Sequence, residues 1–257
     1  MVSNNTILTK KRLQDIEDII ASAGRIVTTD GAYKALREKY SKFAIKKRVF
    51  ELKEKGWLIP LRRGLYFVAD ISSRGFVGIS PFIIAGAFNK DSYVSMESAL
   101  SYYGLFEQML RTVSSVTTNR HKSYEFQENT YKYFEVKKSI YFGFRTYAIE
   151  GYYIKMAELE KALLDYLYFR NSTYDIDLII EKMDKMMNKL DMEKLVRYAQ
   201  KFPETIRRKL GFILDRSNID TKKLHELVSR RGYSKLTTAS KIFNAKWRIY
   251  YENRFAG

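Results

Sequence analysis

The sequence predicts an α+β protein. An N-terminal winged helix-turn-helix precedes a larger C-terminal domain with a small antiparallel sheet and a helical C-terminal part. Three observations carry this reading. Apolar residues recur at helical spacing over residues 6–55 and again beyond Met156. Between them, residues 112–149 are rich in alternating β-branched and aromatic side chains. Residues 71–92 interrupt both patterns with Ser72, Ser73, Gly75, Gly78, Ser80 and Pro81, which places a boundary near 70–80. The expected domains are residues 1–72 and 80–257.

The elements follow in order. Leu13, Ile16, Ile19 and Ile20 form a helical stripe within residues 6–22, and Gly24 ends it. Residues 25–28 read as a short extended piece. Thr29 or Asp30 can cap a second helix carrying Tyr33, Ala35, Leu36 and Tyr40. Ser41 can cap a third over about 42–55, where Ile45, Val49 and Leu52 share one face. The opposite face holds Phe43, Lys47, Phe50 and Glu54, flanked by Lys42 and Lys46. After Gly56, residues 57–61 and 65–68 read as strands joined by Arg62-Arg63-Gly64.

Helix, helix, basic helix and a hairpin with a basic tip is the order of a winged helix-turn-helix. In such a domain the third helix enters the major groove and the wing rests on phosphates. The residues expected to meet DNA are Ser41, Lys42, Lys46, Lys47 and Arg48 on and before the helix, and Arg62 and Arg63 on the wing. Double-stranded promoter DNA is the expected partner.

In the second domain, Tyr93-Val94 precedes a helix from Ser95 to Tyr103, ended by Gly104. Segments 112–118, 124–135 and 139–149 suggest the antiparallel sheet. From Met156 onward the pattern turns helical, with Leu159, Ala162, Leu163, Tyr166 and Leu167 as one stripe. Further helices are expected at 175–189, 191–201, 204–216 and 220–230, with Asp191 as an N-cap and Pro203 in the first turn of the next helix.

Composition narrows the chemistry. The 257 residues include no cysteine, so disulfides, thiolate metal sites and cysteine nucleophiles are excluded. Only His121 and His225 are available for imidazole chemistry. Glycine-rich phosphate loops and HExxH are absent. No enzyme activity, cofactor or metal is expected. The best enzymatic pattern is Glu135-Val136-Lys137, a Glu-x-Lys that a Mg²⁺-dependent nuclease would use, but its nearest upstream carboxylate is Asp91. Glu158, Glu160 and Asp165 form an acidic group that reads as helix-surface pairing, for example of Glu158 or Glu160 with Lys161. The tyrosines of the second domain, among them Tyr102, Tyr103, Tyr131, Tyr133 and Tyr147, read as core and interface. The first twenty residues lack an apolar signal run, and the longest apolar stretch, residues 81–88, is too short to span a membrane. A cytoplasmic protein is therefore expected.

Charge is the other constraint on partners. Lys and Arg number 46 against 29 Asp and Glu, a formal charge of +17. Residues 1–70 hold 15 basic and 8 acidic residues, and residues 203–257 hold 13 and 5. The second block contains Arg207, Arg208, Lys209, Lys222, Lys223, Arg230 and Arg231, a possible second basic surface for a protein partner or for DNA.

Four stretches together resemble the AbiEi-type antitoxins of type IV, or abortive-infection, toxin–antitoxin systems. They are Lys55-Gly56-Trp57-Leu58 with Arg62-Arg63-Gly64-Leu65-Tyr66; Tyr93-Val94-Ser95-Met96-Glu97-Ser98-Ala99-Leu100 with Tyr103-Gly104-Leu105; the β-rich middle ending near Tyr147-Ala148; and Glu158-Leu159-Glu160-Lys161-Ala162-Leu163-Leu164-Asp165. The resemblance implies a non-enzymatic autorepressor that binds inverted repeats in its own promoter. It also implies a C-terminal domain that counteracts a nucleotidyltransferase-like toxin of the AbiEii type. The apolar residues of these stretches, Ala99, Leu100, Leu105, Leu163 and Leu164, read as core. The alternative readings are a stand-alone winged-helix regulator with a sensing second domain and a Mg²⁺-dependent nuclease using Glu135 and Lys137.

Overall fold

A computed structural model describes residues 9–69, 78–106 and 111–256. Residues 6–8 of the first expected helix and Ser72, Ser73 and Gly75 of the connector lie outside the described residues. The chain divides into two compact units, residues 1–80 and 81–257, and its fold class is α+β.

The first unit runs α1 (Lys10–Ala23), β1 (Ile26–Thr28), α2 (Thr29–Leu36), α3 (Lys42–Glu54), β2 (Leu58–Arg62) and β3 (Leu65–Val68). Gly24, at φ +76°, takes the left-handed conformation that ends α1. The cap of α2 is Thr28, one residue before the expected position, and its hydroxyl accepts the Gly31 N–H at 3.0 Å. Ser41 caps α3 through the Ala44 N–H. Strand β1 pairs antiparallel with β3, making a three-stranded sheet β1-β3-β2. Ile16, Ile19, Val27, Ala32, Leu36, Ile45, Val49, Leu52 and Trp57 form one apolar core. Each large aliphatic side chain buried there contributes about 1.5–3 kcal/mol. Leu13 and Ile20 of the expected α1 stripe stay partly exposed, because that core closes over Ile16 and Ile19 alone.

The second unit opens with a helix, α4 (Pro81–Phe88), where the sequence pattern suggests the end of a connector and an apolar run packing at the start of the second domain. Its apolar run is buried at Ile83, Ile84, Ala85 and Phe88. Then come β4 (Ser92–Val94), α5 (Met96–Tyr102), β5 (Thr112–Thr117), β6 (Tyr124–Phe126), β7 (Asn129–Glu135), β8 (Phe144–Ile149) and β9 (Tyr152–Ala157). The expected antiparallel pairing is present at β4–β5, β6–β7 and β8–β9. Two parallel pairings, β4–β9 and β5–β7, join these into one mixed six-stranded sheet, β6-β7-β5-β4-β9-β8. Strand β9 is a correction to the sequence reading. Its inward Met156 also fits helical spacing with Leu159 and Leu163, so periodicity does not separate strand from helix there. The backbone does: Glu150 and Gly151 both have positive φ, the two-residue turn that folds β9 against β8.

Helices α6 (Leu159–Phe169), α7 (Thr173–Met187), α8 (Met192–Ala199), α9 (Glu204–Arg216) and the short α10 (Lys222–His225) follow. Asp191 caps α8 through the Lys194 N–H at 3.0 Å. Beyond α10 the chain forms a second sheet from β10 (Ser234–Lys235), β11 (Ile242–Asn244) and β12 (Ile249–Tyr251), in order β10-β12-β11, where the sequence pattern suggests no strand.

Helix α6 corrects another expectation. Every residue from Leu159 to Leu167 is buried, so Glu160, Lys161 and Asp165 are interior groups rather than a surface ladder. Lys161 pairs with Asp165 one turn on, and neither is exposed. Burial pushes the lysine down and the aspartate up from their ordinary values. Tyr93 (3.1 Å) and Ser95 (2.7 Å) also donate to Asp165, and three rings (Tyr93, Phe142 and Phe202) surround the ammonium. Glu158 accepts from the Tyr198 hydroxyl at 2.5 Å and pairs with Arg145 and Lys194. Glu160 pairs with Lys194 and accepts the Asp191 N–H. Two of the stretches that carry the resemblance, around residues 93–105 and 158–165, therefore meet at Asp165. Ala99, Leu100, Leu105, Leu163 and Leu164 are all buried beside them, as expected of core residues.

Candidate nucleic-acid interface

The pattern of α3 decides which of its side chains can reach a ligand. Ile45, Val49 and Leu52 turn into the core of the first unit. Lys42, Phe43, Lys46, Lys47 and Phe50 are left on the solvent side, with Phe43 79% and Phe50 57% exposed. The first turn of α3 holds Lys42 and no acid. A cation there opposes the positive end of the helix dipole, a local cost that an anion at that terminus would remove.

The hairpin presents the second set. Gly64 at φ +77° makes the tight tip between β2 and β3, and its carbonyl accepts the Thr29 N–H at 3.0 Å. A register irregularity between Pro60 and Arg62 bends the edge strand β2. Pro60 fits an edge strand because it has no N–H to donate. Arg62 and Arg63 are both exposed at the tip.

Lys42, Lys46, Lys47, Arg62 and Arg63 have no ion-pair partner among the described residues. Arg48 is different and corrects the reading that it faces DNA. Its guanidinium lies 2.5 Å from the buried Asp15 carboxylate and 3.8 Å from the Tyr40 ring centroid, fastening α3 to α1. Arg12 makes a second tie to Glu51 at 2.7 Å, and this bond holds the Glu51 carboxyl below its ordinary range. Ser41 serves α3 as its cap. A cleft of about 390 Å³ between the start of α1 and α3 is lined by Lys11, Lys47, the paired Arg12 and Arg48, and the Glu51 carboxylate. The Asp15 and Arg12 ties escape sequence reading, since their partners lie 33 and 39 residues away.

The second basic block does not form one surface. Arg207 donates to the carbonyls of Phe202 (2.7 Å) and Gln200 (3.3 Å). Arg208 is buried, bonds Glu204 at 2.8 Å, and donates to the carbonyls of Ser229 and Arg231. Lys209 is buried too, and desolvation lowers its pKa. Lys223 is exposed and sits 3.2 Å from Glu193. Lys222, Arg230 and Arg231 are exposed. Arg208 turns inward because the chain after residue 228 folds over α9 and offers it the Ser229 and Arg231 carbonyls; Trp247 packs against Gly211 so closely that a Cβ there would stand 2.1 Å from the ring.

The alternative Glu-x-Lys pair is not held as a site. Glu135 is exposed at the last position of β7, and Lys137 follows the strand, exposed, before a 3₁₀ turn. No cluster of three or more metal-binding side chains occurs among the described residues, and none of their helices is long and apolar enough to cross a membrane. His121 contacts the Lys122 carbonyl and the Tyr124 and Tyr133 rings, and His225 the Lys246 carbonyl and Trp247.

No family model and no curated protein matches the chain. Among solved structures, it is similar to the crystal structure of the RV2827C protein from Mycobacterium tuberculosis, with a TM-score of 0.68 at 12% sequence identity. The similarity covers 96% of this chain and 92% of that one, so the two share a fold across nearly their whole length.

Proposed function

We propose that the chain is a double-stranded DNA-binding autorepressor and the antitoxin of a type IV toxin–antitoxin operon, acting in the cytoplasm without a cofactor or catalytic step of its own. The observation that carries the DNA reading is the set of five cations on α3 and the hairpin tip that have no ion-pair partner among the described residues. Cations held outward on a helix and an adjacent hairpin suit a polyanion with a groove. Lys42, Lys46 and Lys47 contact base edges and flanking phosphates, and Arg62 and Arg63 neutralise phosphates beside them. Arg48 keeps α3 in register through Asp15. The antitoxin part rests on the resemblance of residues 93–105 and 158–165 to AbiEi-type proteins. The partner is then a nucleotidyltransferase-like toxin encoded beside this gene.

A gel shift of the full chain on the DNA upstream of its gene tests the first part. At physiological salt wild type binds, and the variant with Lys46, Lys47, Arg62 and Arg63 changed to Ala does not; equal binding by both rejects the interface. Co-expression with the neighbouring gene product tests the second. The same DNA-blind variant still rescues growth if the second unit carries antitoxicity, and a failure to rescue assigns that activity to DNA binding.

A further inference from the structure

The small sheet β10-β12-β11 has one face against α9 and one toward solvent. Ser234 and Ile249 are buried on the inner side, with Trp247 buried in the turn before β12. Register sets Lys235 beside Tyr250 and Tyr250 beside Phe243. Tyr233 and Lys241 sit two residues before Lys235 and Phe243, while Arg248, in the turn before β12 at φ +50°, reaches this face at the Phe243 ring. The ring geometry agrees: Tyr233 and Tyr250 have centroids 5.4 Å apart, Phe243 and Tyr250 5.1 Å, and the Arg248 guanidinium lies 5.9 Å from the Phe243 centroid. The outer face thus gathers three rings and three cations; the acid that follows β12, Glu252, is engaged by the Thr173 and Thr237 hydroxyls.

Two of the rings are open to water, Tyr233 at 64% and Phe243 at 42% exposed. Lys235 and Lys241 are exposed and have no ion-pair partner among the described residues. Arg248 donates to the Gly232 carbonyl at 2.7 Å, which holds it at the rim of the rings. An apolar partner would have to desolvate three cations, and an acidic peptide would leave the ring faces uncovered. A chain of flat bases joined by phosphates satisfies both at once, stacking on the rings and pairing with the cations.

We propose that this outer face, formed by Tyr233, Lys235, Lys241, Phe243, Arg248 and Tyr250, binds single-stranded nucleic acid. The site is separate from α3 and the hairpin and does not depend on the duplex reading.

Fluorescence anisotropy of the full chain with labelled 15-nucleotide single strands of mixed sequence, RNA and DNA, tests it. Binding of at least one strand is expected. The Tyr233→Ala/Phe243→Ala variant should lose about fivefold or more per ring, roughly 25-fold in all, without any change in charge. Its affinity for a DNA duplex and its thermal midpoint should stay at wild-type values. Tyr233→Phe/Phe243→Tyr, which keeps the stacking surfaces, should restore binding. Should the alanine variant lose its fold, Lys235→Glu/Lys241→Glu on the exposed rim serves instead, with the same loss expected. Wild type binding neither strand, or the folded variants binding like wild type, overturns the proposal. So does self-association of the full chain that these substitutions abolish, which would assign the face to a second copy.

Discussion

Helices α3 and α9 carry the same kind of basic run and put it to opposite uses. Lys42, Lys46 and Lys47 point outward from α3, whereas on α9 Arg208 and Lys209 are buried and Arg207 is tied to the Phe202 carbonyl. Composition does not separate them. The surroundings do: α3 has apolar neighbours on one side only, while α9 is covered by the chain that returns over it, with backbone carbonyls waiting for the guanidinium donors. A cation that meets carbonyls and a carboxylate while being buried is structural. One left outward without such partners is available to a ligand.

Four variants sharpen or break this contrast. The largest effect is expected at the inward extreme, where Asp165→Ala leaves the fully buried Lys161 without its partner. A loss of about 3–5 kcal/mol in urea unfolding is predicted; a near-wild-type midpoint would show that the pair is dispensable. Arg208→Ala should cost about 1–3 kcal/mol, because Glu204 and two carbonyls lose a buried donor, while duplex affinity stays unchanged. Lys46→Ala/Lys47→Ala should do the reverse. Stability should hold within about 0.5 kcal/mol, as usual for surface changes, and duplex affinity in a titration should fall by at least about fivefold. A result with these last two exchanged would destroy the distinction.

The smallest effect concerns pH. Burial raises the Glu158 carboxyl, but the Tyr198 hydrogen bond and the charges of Lys194 and Arg145 outweigh it and hold the group below its ordinary value. The unfolded chain then binds its proton first as pH falls. The stabilisation is complete above the ordinary carboxylate range and is lost as pH drops through the depressed value. Glu158→Gln should flatten the acid side of the stability curve; an unchanged slope would contradict the assignment.

Local structure was legible in the sequence wherever a pattern was both periodic and capped. The stripe Ile45, Val49, Leu52 with Ser41 before it defines α3, and Gly64 marks the tip that exposes Arg62 and Arg63. Legibility failed where the deciding partner is distant in sequence. Arg48 looks like its neighbours until Asp15 claims it. Lys161 and Asp165 have the spacing of a surface pair, and only Tyr93 and Ser95, some 70 residues earlier, show that the pair is interior. The β10-β12-β11 sheet escaped because its strands are two or three residues long. Its signal was the alternation of ring and cation at Tyr233/Lys235, Lys241/Phe243 and Arg248/Tyr250, visible once the strands are known.

The central claim, that the outward cations of α3 and the hairpin hold duplex DNA, is tested most directly by the salt dependence of binding. The logarithm of the association constant of the full chain for its upstream duplex is measured against the logarithm of salt concentration, for wild type and for Lys46→Ala/Lys47→Ala/Arg62→Ala/Arg63→Ala. Each phosphate contact contributes about 0.9 to the slope. For every one of the four residues that meets a phosphate, the variant's slope should be shallower by about one unit. Equal slopes in the two proteins would contradict the account.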